Sequence, residues 1–305
     1  MPNSWQQDFQ ATISTGDAAA IEEHLVALSK KKKSLAQKSH DPRAIVKAYE
    51  DTSIPYVYGI DTSRSGNFVS YGLRKVKMAS DLVQRLAQTE GEPITIIPWN
   101  YLPKFNLAQR EIKYINKPSV LKELENRRNF FRKLQGHVEL PEWTEDLREA
   151  IGWASNSIVY GWKKERVAMF EDILEFTTSD FWTKHKPHKK EFVIHLVRDK
   201  LIGIQEIVPR ETNNVGEKID PADLDFRLRI QSNGFYKKTV SSCPEVCIDE
   251  AKKAIKRLGL DFCAIKVMYR QSVNKAVVLS VDTTPIIPDK NMGFAYADAI
   301  KNLTI

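Results

Sequence analysis

The segment 244–282 constrains the fold more than any other part of the sequence. A helix is predicted to begin at Pro244, because proline suits the first turn, and to end at Gly259, because glycine commonly terminates helices. Its apolar residues fall on one face: Cys247, Ala251, Ala254 and Leu258. Two strands of alternating polarity follow at 262–269 and 276–281, joined by a polar turn. This order of elements indicates a mixed α/β architecture.

Strands also alternate with helical stretches in the earlier part of the chain. The apolar runs at 54–60 and 93–98 predict buried strands. Residues 192–197 and 201–207 predict a hairpin, because a short charged turn separates two apolar runs. Residues 1–50 predict a helical arm. The predicted fold class is therefore α/β (α+β) with a helical N-terminal extension.

The charge balance favours anionic partners. The 305 residues include 46 Lys and Arg against 39 Asp and Glu, a net charge of +7. Such an excess is typical of proteins that meet phosphates, nucleotides, nucleic acid or acidic lipid, without choosing among them. No stretch approaches the ~20 apolar residues that a membrane helix needs. The N-terminus also has no basic-then-apolar signal pattern. We therefore expect a soluble, cytoplasmic protein without a membrane partner.

The three cysteines exclude a disulfide scaffold and favour a reducing compartment. Cys243 and Cys247 have a C-x3-C spacing that could begin a metal site, but no second ligand pair follows. Two thiols packed around the start of a helix are the simpler interpretation.

Several ordered pieces of the chain resemble the ATP-grasp superfamily, the fold of glutathione synthetase and D-alanine–D-alanine ligase. Gly-Leu-Asp-Phe at 259–262 and Leu-Ser-Val-Asp-Thr-Thr-Pro at 279–285 are similar to the end of that domain. Glu-Phe-Val-Ile-His at 191–195 resembles the Glu-Tyr-Arg-Val-His strand of the family. Ile-Asn-Lys-Pro at 115–118 and the stretch 126–144 resemble the entry into its nucleotide-binding half. The similarity is greatest to carboxylate–amine ligase-like members of bacteria and their phages.

The resemblance implies a domain organisation and a chemistry. It divides the chain into the arm at 1–50, a small α/β domain at 51–115 and an ATP-grasp domain at 116–305. It implies a nucleotide cleft between 117–190 and 191–305, in the cytoplasm of a bacterial or phage-infected cell. Active members transfer the γ-phosphoryl group of ATP to a carboxylate, and an amine then attacks the acylphosphate.

The family's metal ligands are replaced at the positions that align with them. Family members hold Mg²⁺ with an Asp or Glu, a second Glu and an Asn. Here these positions align with Lys266, Ser280 and Asp282, and the position of a cationic Arg aligns with Val193. A lone Asp is a poor Mg²⁺ site, and a nearby ammonium repels the ion by several kcal/mol. Catalysis is therefore expected to be weak or lost. ATP is expected to remain a ligand, whereas the sequence does not decide whether Mg²⁺ binds.

Lys266 and Asp282, the two residues most directly implicated, allow more than one interpretation. In the first interpretation, Lys266 occupies the position of the family's metal ion and binds a phosphate. In the second, it forms an ion pair with Asp282 across neighbouring strands. In a third interpretation the protein is an active ligase acting on a small carboxylate and an amine. That activity would require carboxylates from elsewhere, such as Asp220, Asp223 or Asp225.

Other residues are implied only as nucleotide contacts. They are Lys163 and Lys164, predicted to follow a strand, together with Lys184, Lys186, Glu191 and Arg229. His195 lies in a predicted strand with apolar neighbours, so a structural role is expected rather than an acid–base role.

A different class of function is a basic module without catalysis. A basic surface with aromatic residues available for stacking, here Trp182 and Tyr236, is typical of proteins that bind nucleic acid. Its basic residues would be Lys184, Lys186, Lys189 and Lys190 with His185 and His188, joined by Lys237, Lys238 and the N-terminal lysines at 30–33. A protein partner is the other possibility for this surface. Salt dependence separates a backbone binder from a closed nucleotide cleft.

Overall fold

The computed structural model describes residues 56–58, 73–76, 93–99, 111–163, 166–169, 173–184, 190–212, 218 and 235–303. These residues belong to a unit that spans Thr52–Ile305. The predicted arm at 1–50 lies outside the described residues. No helix in the described ranges is long and apolar enough to cross a bilayer.

The N-terminal part of this unit contains a four-stranded parallel sheet. Its strands are β1 (Tyr56–Tyr58), β2 (Arg74–Val76), β3 (Ile94–Pro98) and β4 (Ile112–Tyr114). They are arranged in the order β2-β1-β3-β4, and all three pairings are parallel. Four of the five residues of β3 are buried, so the prediction of a buried strand at 93–98 is confirmed.

The middle part combines helices with a four-stranded antiparallel sheet. Its elements are α1 (Pro118–Leu124), α2 (Arg127–Leu134), β5 (Trp143–Thr144), α3 (Leu147–Ala154), β6 (Val159–Lys163), β7 (Arg166–Met169), α4 (Ile173–Thr177) and β8 (Phe181–Lys184). The strand order is β5-β8-β6-β7. Asn126 begins α2 by accepting a hydrogen bond from the Arg128 N–H at 3.0 Å, as an N-cap does.

The C-terminal part contains a five-stranded antiparallel sheet and two helices. Its elements are β9 (Lys190–Val197), β10 (Lys200–Pro209), β11 (Phe235–Val240), α5 (Glu245–Leu258), β12 (Phe262–Arg270), β13 (Lys275–Asp282) and α6 (Lys290–Lys301). The order is β11-β10-β9-β12-β13. The predicted hairpin, helix and final strand pair are confirmed. Gly259 ends α5 with a φ of 72°, a left-handed conformation that glycine adopts without strain.

The two faces of this sheet differ in polarity because successive side chains on a strand point to opposite sides. The α5 face is apolar and packs against α5; it carries Phe192, Ile194, Leu196, Ile265, Val267 and Val278. The opposite face, here called the polar face, carries Glu191, Val193, His195, Gln205, Lys266, Ser280 and Asp282. Polar and charged groups are thus concentrated on the side away from α5.

Helix α6 packs on one end of the polar face. Tyr296 and Met292 of α6 belong to the apolar cluster that includes Val197 and Phe262 at this end. The other end, around Lys266, has a smaller apolar cluster of Val193, Ile207, Phe235 and Ala264.

Asn116 links the chain after β4 to the start of β12. Its side-chain Oδ1 accepts hydrogen bonds from the N–H groups of Asp261 and Phe262 at 2.7 and 3.1 Å. Its Nδ2 donates to the Phe262 carbonyl at 2.8 Å, and its own N–H donates to Asp261 Oδ2 at 3.0 Å. Asn116 is fully buried with a φ of 61°. These four bonds fix the position of the first residues of β12, and therefore also the position of Lys266 further along that strand.

Candidate functional site

Three positions identified by the resemblance lie in one row across the polar face. Lys266 of β12 pairs with Val193 of β9 on one side and with Ser280 of β13 on the other. Asp282 lies opposite Ala264, two residues further along on the same face. The antiparallel register therefore brings all four aligned positions together.

Lys266 forms a buried ion pair with Glu191. Its Nζ lies 2.7 Å from Glu191 Oε2, and the two side chains are only 11% and 3% exposed. They are diagonal neighbours, because Glu191 lies opposite Met268. Burial lowers the pKa of Lys266, and the Glu191 carboxylate counteracts part of that effect. The alternative ion pair between Lys266 and Asp282 is wrong, since the Lys266 ammonium is paired with Glu191 and the Asp282 carboxylate accepts a hydrogen bond from the Thr284 N–H.

Asp282 stabilises the turn that follows β13. Its Oδ1 accepts a hydrogen bond from the Thr284 N–H at 3.0 Å and lies 3.5 Å from the Thr284 hydroxyl. One carboxylate oxygen of this half-buried residue therefore already accepts a hydrogen bond within the turn.

The residues present do not fit a Mg²⁺ ion. Within the described ranges, no group of three or more His, Cys, Asp or Glu side chains is arranged to hold a metal. In the alignment predicted from the sequence, Lys266 takes the position of the first family carboxylate, and Ser280 lacks a charge. Magnesium requires several oxygen ligands in octahedral geometry, which Asp282 alone does not supply.

Arg127 is a second cation close to Lys266 that the sequence analysis missed. Its guanidinium stacks 3.7 Å above the Trp162 ring, and its Nη2 donates to the Leu279 carbonyl of β13 at 3.1 Å. Its Nε is shielded from solvent and has no hydrogen-bond partner. No carboxylate in the described part of the chain forms a salt bridge with Arg127. Burial lowers the pKa of Arg127 to about 10, well above neutrality, so it stays charged.

The cluster around Lys266 carries more positive than negative charge. Arg127 and Lys237 both act electrostatically on Lys266, and both oppose its positive charge. Lys237 lies on the exposed strand β11, opposite Ile207 of β10. Lys266, Arg127 and Lys237 are therefore three cations, and the carboxylate that acts on Lys266 is that of Glu191.

Lys163 and Lys184 are not brought into this cluster. Lys163 is the exposed last residue of β6, whereas Lys184 lies opposite Val159 at the other end of that strand. The Nζ of Lys184 lies 3.5 Å from Glu142 Oε2 and 5.9 Å from the centre of the Trp153 ring of α3. The predictions for Lys164, Lys186, Arg229, Asp220, Asp223 and Asp225 lie outside the described residues.

His195 has the structural role expected from the sequence. It is fully buried; its Nε2 lies 2.9 Å from Gln205 Oε1 and its Nδ1 lies 3.0 Å from the Tyr296 hydroxyl. With Nε2 donating to Gln205, Nδ1 accepts the Tyr296 hydroxyl proton. Burial lowers the pKa of His195 to about 4, so the ring is neutral near pH 7.

The two aromatic residues expected to stack on bases differ in exposure. Trp182 is buried, and its indole N–H donates to the Phe176 carbonyl at 3.0 Å, so the expectation that it stacks is wrong. Tyr236 is 42% exposed on β11. Of this pair, only Tyr236 is accessible to a base.

Comparison with known proteins identifies the fold. No family model and no curated protein sequence matches the chain. Among solved structures, the ATP-grasp ligase PsnB, complexed with a phosphomimetic variant of its minimal precursor, Mg and ADP, superposes with a TM-score of 0.55 at 14% identity. That match covers 84% of this chain and 99% of PsnB.

Two further ligases superpose over similar lengths. The macrocyclase MdnC of Microcystis aeruginosa MRC, bound with its precursor peptide MdnA, gives a TM-score of 0.53 at 10% identity and covers 81% of this chain and 99% of MdnC. The D-alanine–D-alanine ligase of Bacillus anthracis, complexed with ATP, gives 0.52 at 13% identity and covers 82% and 96%. The chain therefore has the ATP-grasp fold, as its sequence resemblance implies.

Proposed function

We propose that the protein binds ATP or a related nucleotide on the polar face, with Lys266 in the position that a metal ion occupies in ATP-grasp ligases. Ligase chemistry is then weak or lost. The single observation that carries this proposal is the buried ion pair between Lys266 and Glu191, in the row where the resemblance aligns the metal carboxylates. The solved ligases that bind ADP or ATP support the nucleotide as the ligand class.

In this proposal Glu191 keeps Lys266 charged. Burial alone favours the neutral amine, and the carboxylate at 2.7 Å favours the ammonium. An ammonium that is fixed by a protein carboxylate needs no reorganisation when an anion arrives.

Arg127 supplies the positive charge that Lys266 and Glu191 together lack. Because the ion pair is neutral overall, attraction for a phosphate comes from the cations without a carboxylate of their own. The guanidinium of Arg127 lies 3.7 Å from the centre of the Trp162 ring and its Nε lacks a hydrogen-bond partner, so in this proposal Arg127 donates to a phosphate oxygen.

Isothermal titration calorimetry with ATP, once with Mg²⁺ and once with EDTA, tests the proposal. We expect similar affinity in both buffers and weaker binding in Lys266→Asp. Lys275→Asp is the matched control, because Lys275 is an exposed residue of β13 with an exposed partner, Glu139. Binding only with Mg²⁺ would contradict the substitution of the metal by Lys266, and no binding in either buffer would contradict the nucleotide function.

The fold favours a second candidate, an active carboxylate–amine ligase that proceeds through an acylphosphate. Two of the similar ligases are complexed with a precursor or precursor peptide, so a peptide carboxylate is the first substrate to test. This activity requires metal carboxylates from the stretch that contains Asp220, Asp223 and Asp225. It predicts ADP release that depends on Mg²⁺, a carboxylate and an amine together, and turnover at background level would exclude it.

Strand β11 favours a third candidate, a basic surface for nucleic acid or a protein partner. Tyr236, Lys237 and Lys238 are exposed in succession, and the Arg210 guanidinium lies 5.8 Å from the centre of the Tyr236 ring. Base stacking on tyrosine beside lysines is a pattern of single-strand binders. Fluorescence anisotropy with a thymidine oligonucleotide tests it: a steep loss of affinity with salt supports this candidate, and no binding at low salt removes nucleic acid as the partner.

A further inference from the structure

Two of the three cysteines of the chain lie together at the beginning of α5. Cys243 immediately precedes Pro244, the N-cap residue, and Cys247 lies in the first turn, where its N–H donates to the Pro244 carbonyl at 2.9 Å. Cys247 is fully buried, whereas Cys243 is half-buried and reaches solvent. Cys243 and Cys247 are four residues apart, one on each side of the N-cap residue, and each thiol shifts the pKa of the other.

The surroundings favour the thiolate form of Cys243. No side chain caps α5, so the positive end of the helix dipole is directed at the chain that enters the helix. In its thiol form, Cys243 makes only a weak 3.6 Å contact with the Pro244 carbonyl. The hydrogen bond from Cys247 lowers the pKa of Cys243 and raises that of Cys247. A thiolate that solvent can reach beside a helix N-terminus reacts with oxidants.

We propose that Cys243 and Cys247 are a redox-active pair, in which Cys243 reacts with hydrogen peroxide and Cys247 resolves the product to a disulfide. The Cys243 thiolate attacks one peroxide oxygen; an S–O bond forms, the O–O bond breaks and hydroxide leaves. The Cys247 sulfur then displaces the hydroxyl group of the Cys243 sulfenic acid, and the Cys247 proton leaves with it as water. Peroxide is reduced by two electrons, and the two thiols are oxidised.

Closure of this disulfide is compatible with the local backbone. Within a helix, residues four apart have Cβ atoms about 5–6 Å apart, and Cys243 lies one residue before the N-cap of the helix that contains Cys247. A disulfide brings Cβ atoms to about 3.5–4.5 Å. Because Cys243 precedes the helix, the required shift falls on the connection from β11 at 241–243 and leaves the hydrogen bonds of α5 in place.

Cys263 is an internal control for reactivity. It lies fully buried in β12 on the α5 face, and burial raises its pKa well above the usual range of a thiol. We therefore expect it to stay reduced and to resist alkylation in the folded protein.

Peptide mapping after alkylation tests the proposal without knowledge of any ligand. Trypsin releases Cys243 and Cys247 in one peptide, 239–252, and Cys263 in another, 258–266. Iodoacetamide at neutral pH is expected to label Cys243 at least about tenfold faster than Cys263. After one equivalent of peroxide, peptide 239–252 should lose two hydrogens in mass, resist alkylation and recover on treatment with dithiothreitol.

Two variants assign the roles of the thiols. In Cys247→Ala the reaction should stop at the Cys243 sulfenic acid, detected with dimedone, whereas Cys243→Ala should leave peptide 239–252 without oxidation. Equal labelling of Cys243 and Cys263 in the native protein would overturn the proposal. So would a peroxide-treated wild-type protein in which both thiols of peptide 239–252 are still free.

Discussion

His195 and Lys266 are both buried on the polar face, but their surroundings are opposite in kind. Both ring nitrogens of His195 have neutral partners, Gln205 and Tyr296, and the ring itself is neutral. Lys266 is paired with the Glu191 carboxylate at 2.7 Å, and the charges of Lys237 and Arg127 also act on it. One end of the same sheet face is therefore a complete neutral network, and the other is a cluster with an excess of cations.

The difference separates structural polar groups from groups that can bind a ligand. A neutral network in which every donor has an acceptor stabilises one conformation and offers nothing to a ligand. A buried cationic cluster in which Arg127 Nε has no partner is costly on its own, and an anion would satisfy it.

Asn116 has a structural role, and its replacement by alanine should cause the largest loss of stability. Asn116→Ala removes three side-chain hydrogen bonds of about 1 kcal/mol each and leaves an alanine at a φ of 61°, so the total loss is about 4 kcal/mol in the free energy of unfolding. Urea denaturation measures it. Asn274→Ala is the matched control: Asn274 also has a positive φ, 47°, but is exposed and accepts one hydrogen bond from Tyr269. Equal losses in the two variants would contradict the role of Asn116 as a buried link.

His195 should make this structural network sensitive to acid. Its folded-state pKa is lowered from 6.5 to about 4, mainly by burial, so the unfolded chain binds this proton first as the pH falls. The stabilisation is therefore complete above about pH 6.5 and is lost as the pH falls towards 4, by about 3 kcal/mol in total. Urea denaturation across this pH range measures this loss. The His195→Gln variant is expected to lose less free energy of unfolding on acidification than the wild type. His137→Gln, at an exposed position, should behave as the wild type.

Much of the fold could be predicted because its signals are local. The alternation at 262–269 and 276–281, and the glycine at 259, depend on neighbouring residues, and they identified β12, β13 and the end of α5. The row of Val193, Lys266 and Ser280 was available only through the resemblance, because the relative register of strands distant in sequence has no local signal.

The contacts of the candidate site could not be predicted to the same degree. The partner of Lys266 is Glu191, a diagonal neighbour that is determined by the pairing of β9 with β12 and not by either strand alone. Arg127 was missed because its environment comes from Trp162 and Leu279, which are distant in sequence. Its one local signal is its position directly after the N-cap Asn126, at the start of a helix.

Restoring carboxylates in the Lys266 row should convert the site to a metal-dependent one, if the proposed nucleotide function holds. Lys266→Asp with Ser280→Glu would remove the ammonium and place four carboxylates near each other, including Glu191 and Asp282. We expect ATP to bind this variant about a hundredfold more tightly with Mg²⁺ than with EDTA, about 2.7 kcal/mol, with no such difference in the wild type. Calorimetry measures both. A double variant that binds ATP equally in both buffers would contradict the alignment of this row with a metal site.

Replacement of Arg127 should have the smallest effect, and it tests most directly whether the cationic end of the polar face binds a ligand. Arg127→Met keeps an apolar contact with Trp162 and removes the charge, so ATP affinity should fall about tenfold, or about 1.4 kcal/mol, with a smaller change in the free energy of unfolding. Arg128→Met is the matched control, because Arg128 also has an unpartnered Nε but lies 3.6 Å from the Glu145 carboxylate. It should leave ATP affinity unchanged. If both variants lose stability and neither loses ATP affinity, the Nε of Arg127 that lacks a hydrogen-bond partner belongs to the packing of the helix start. The cationic end of the polar face then has a structural role, like His195 and Asn116, and does not bind a ligand.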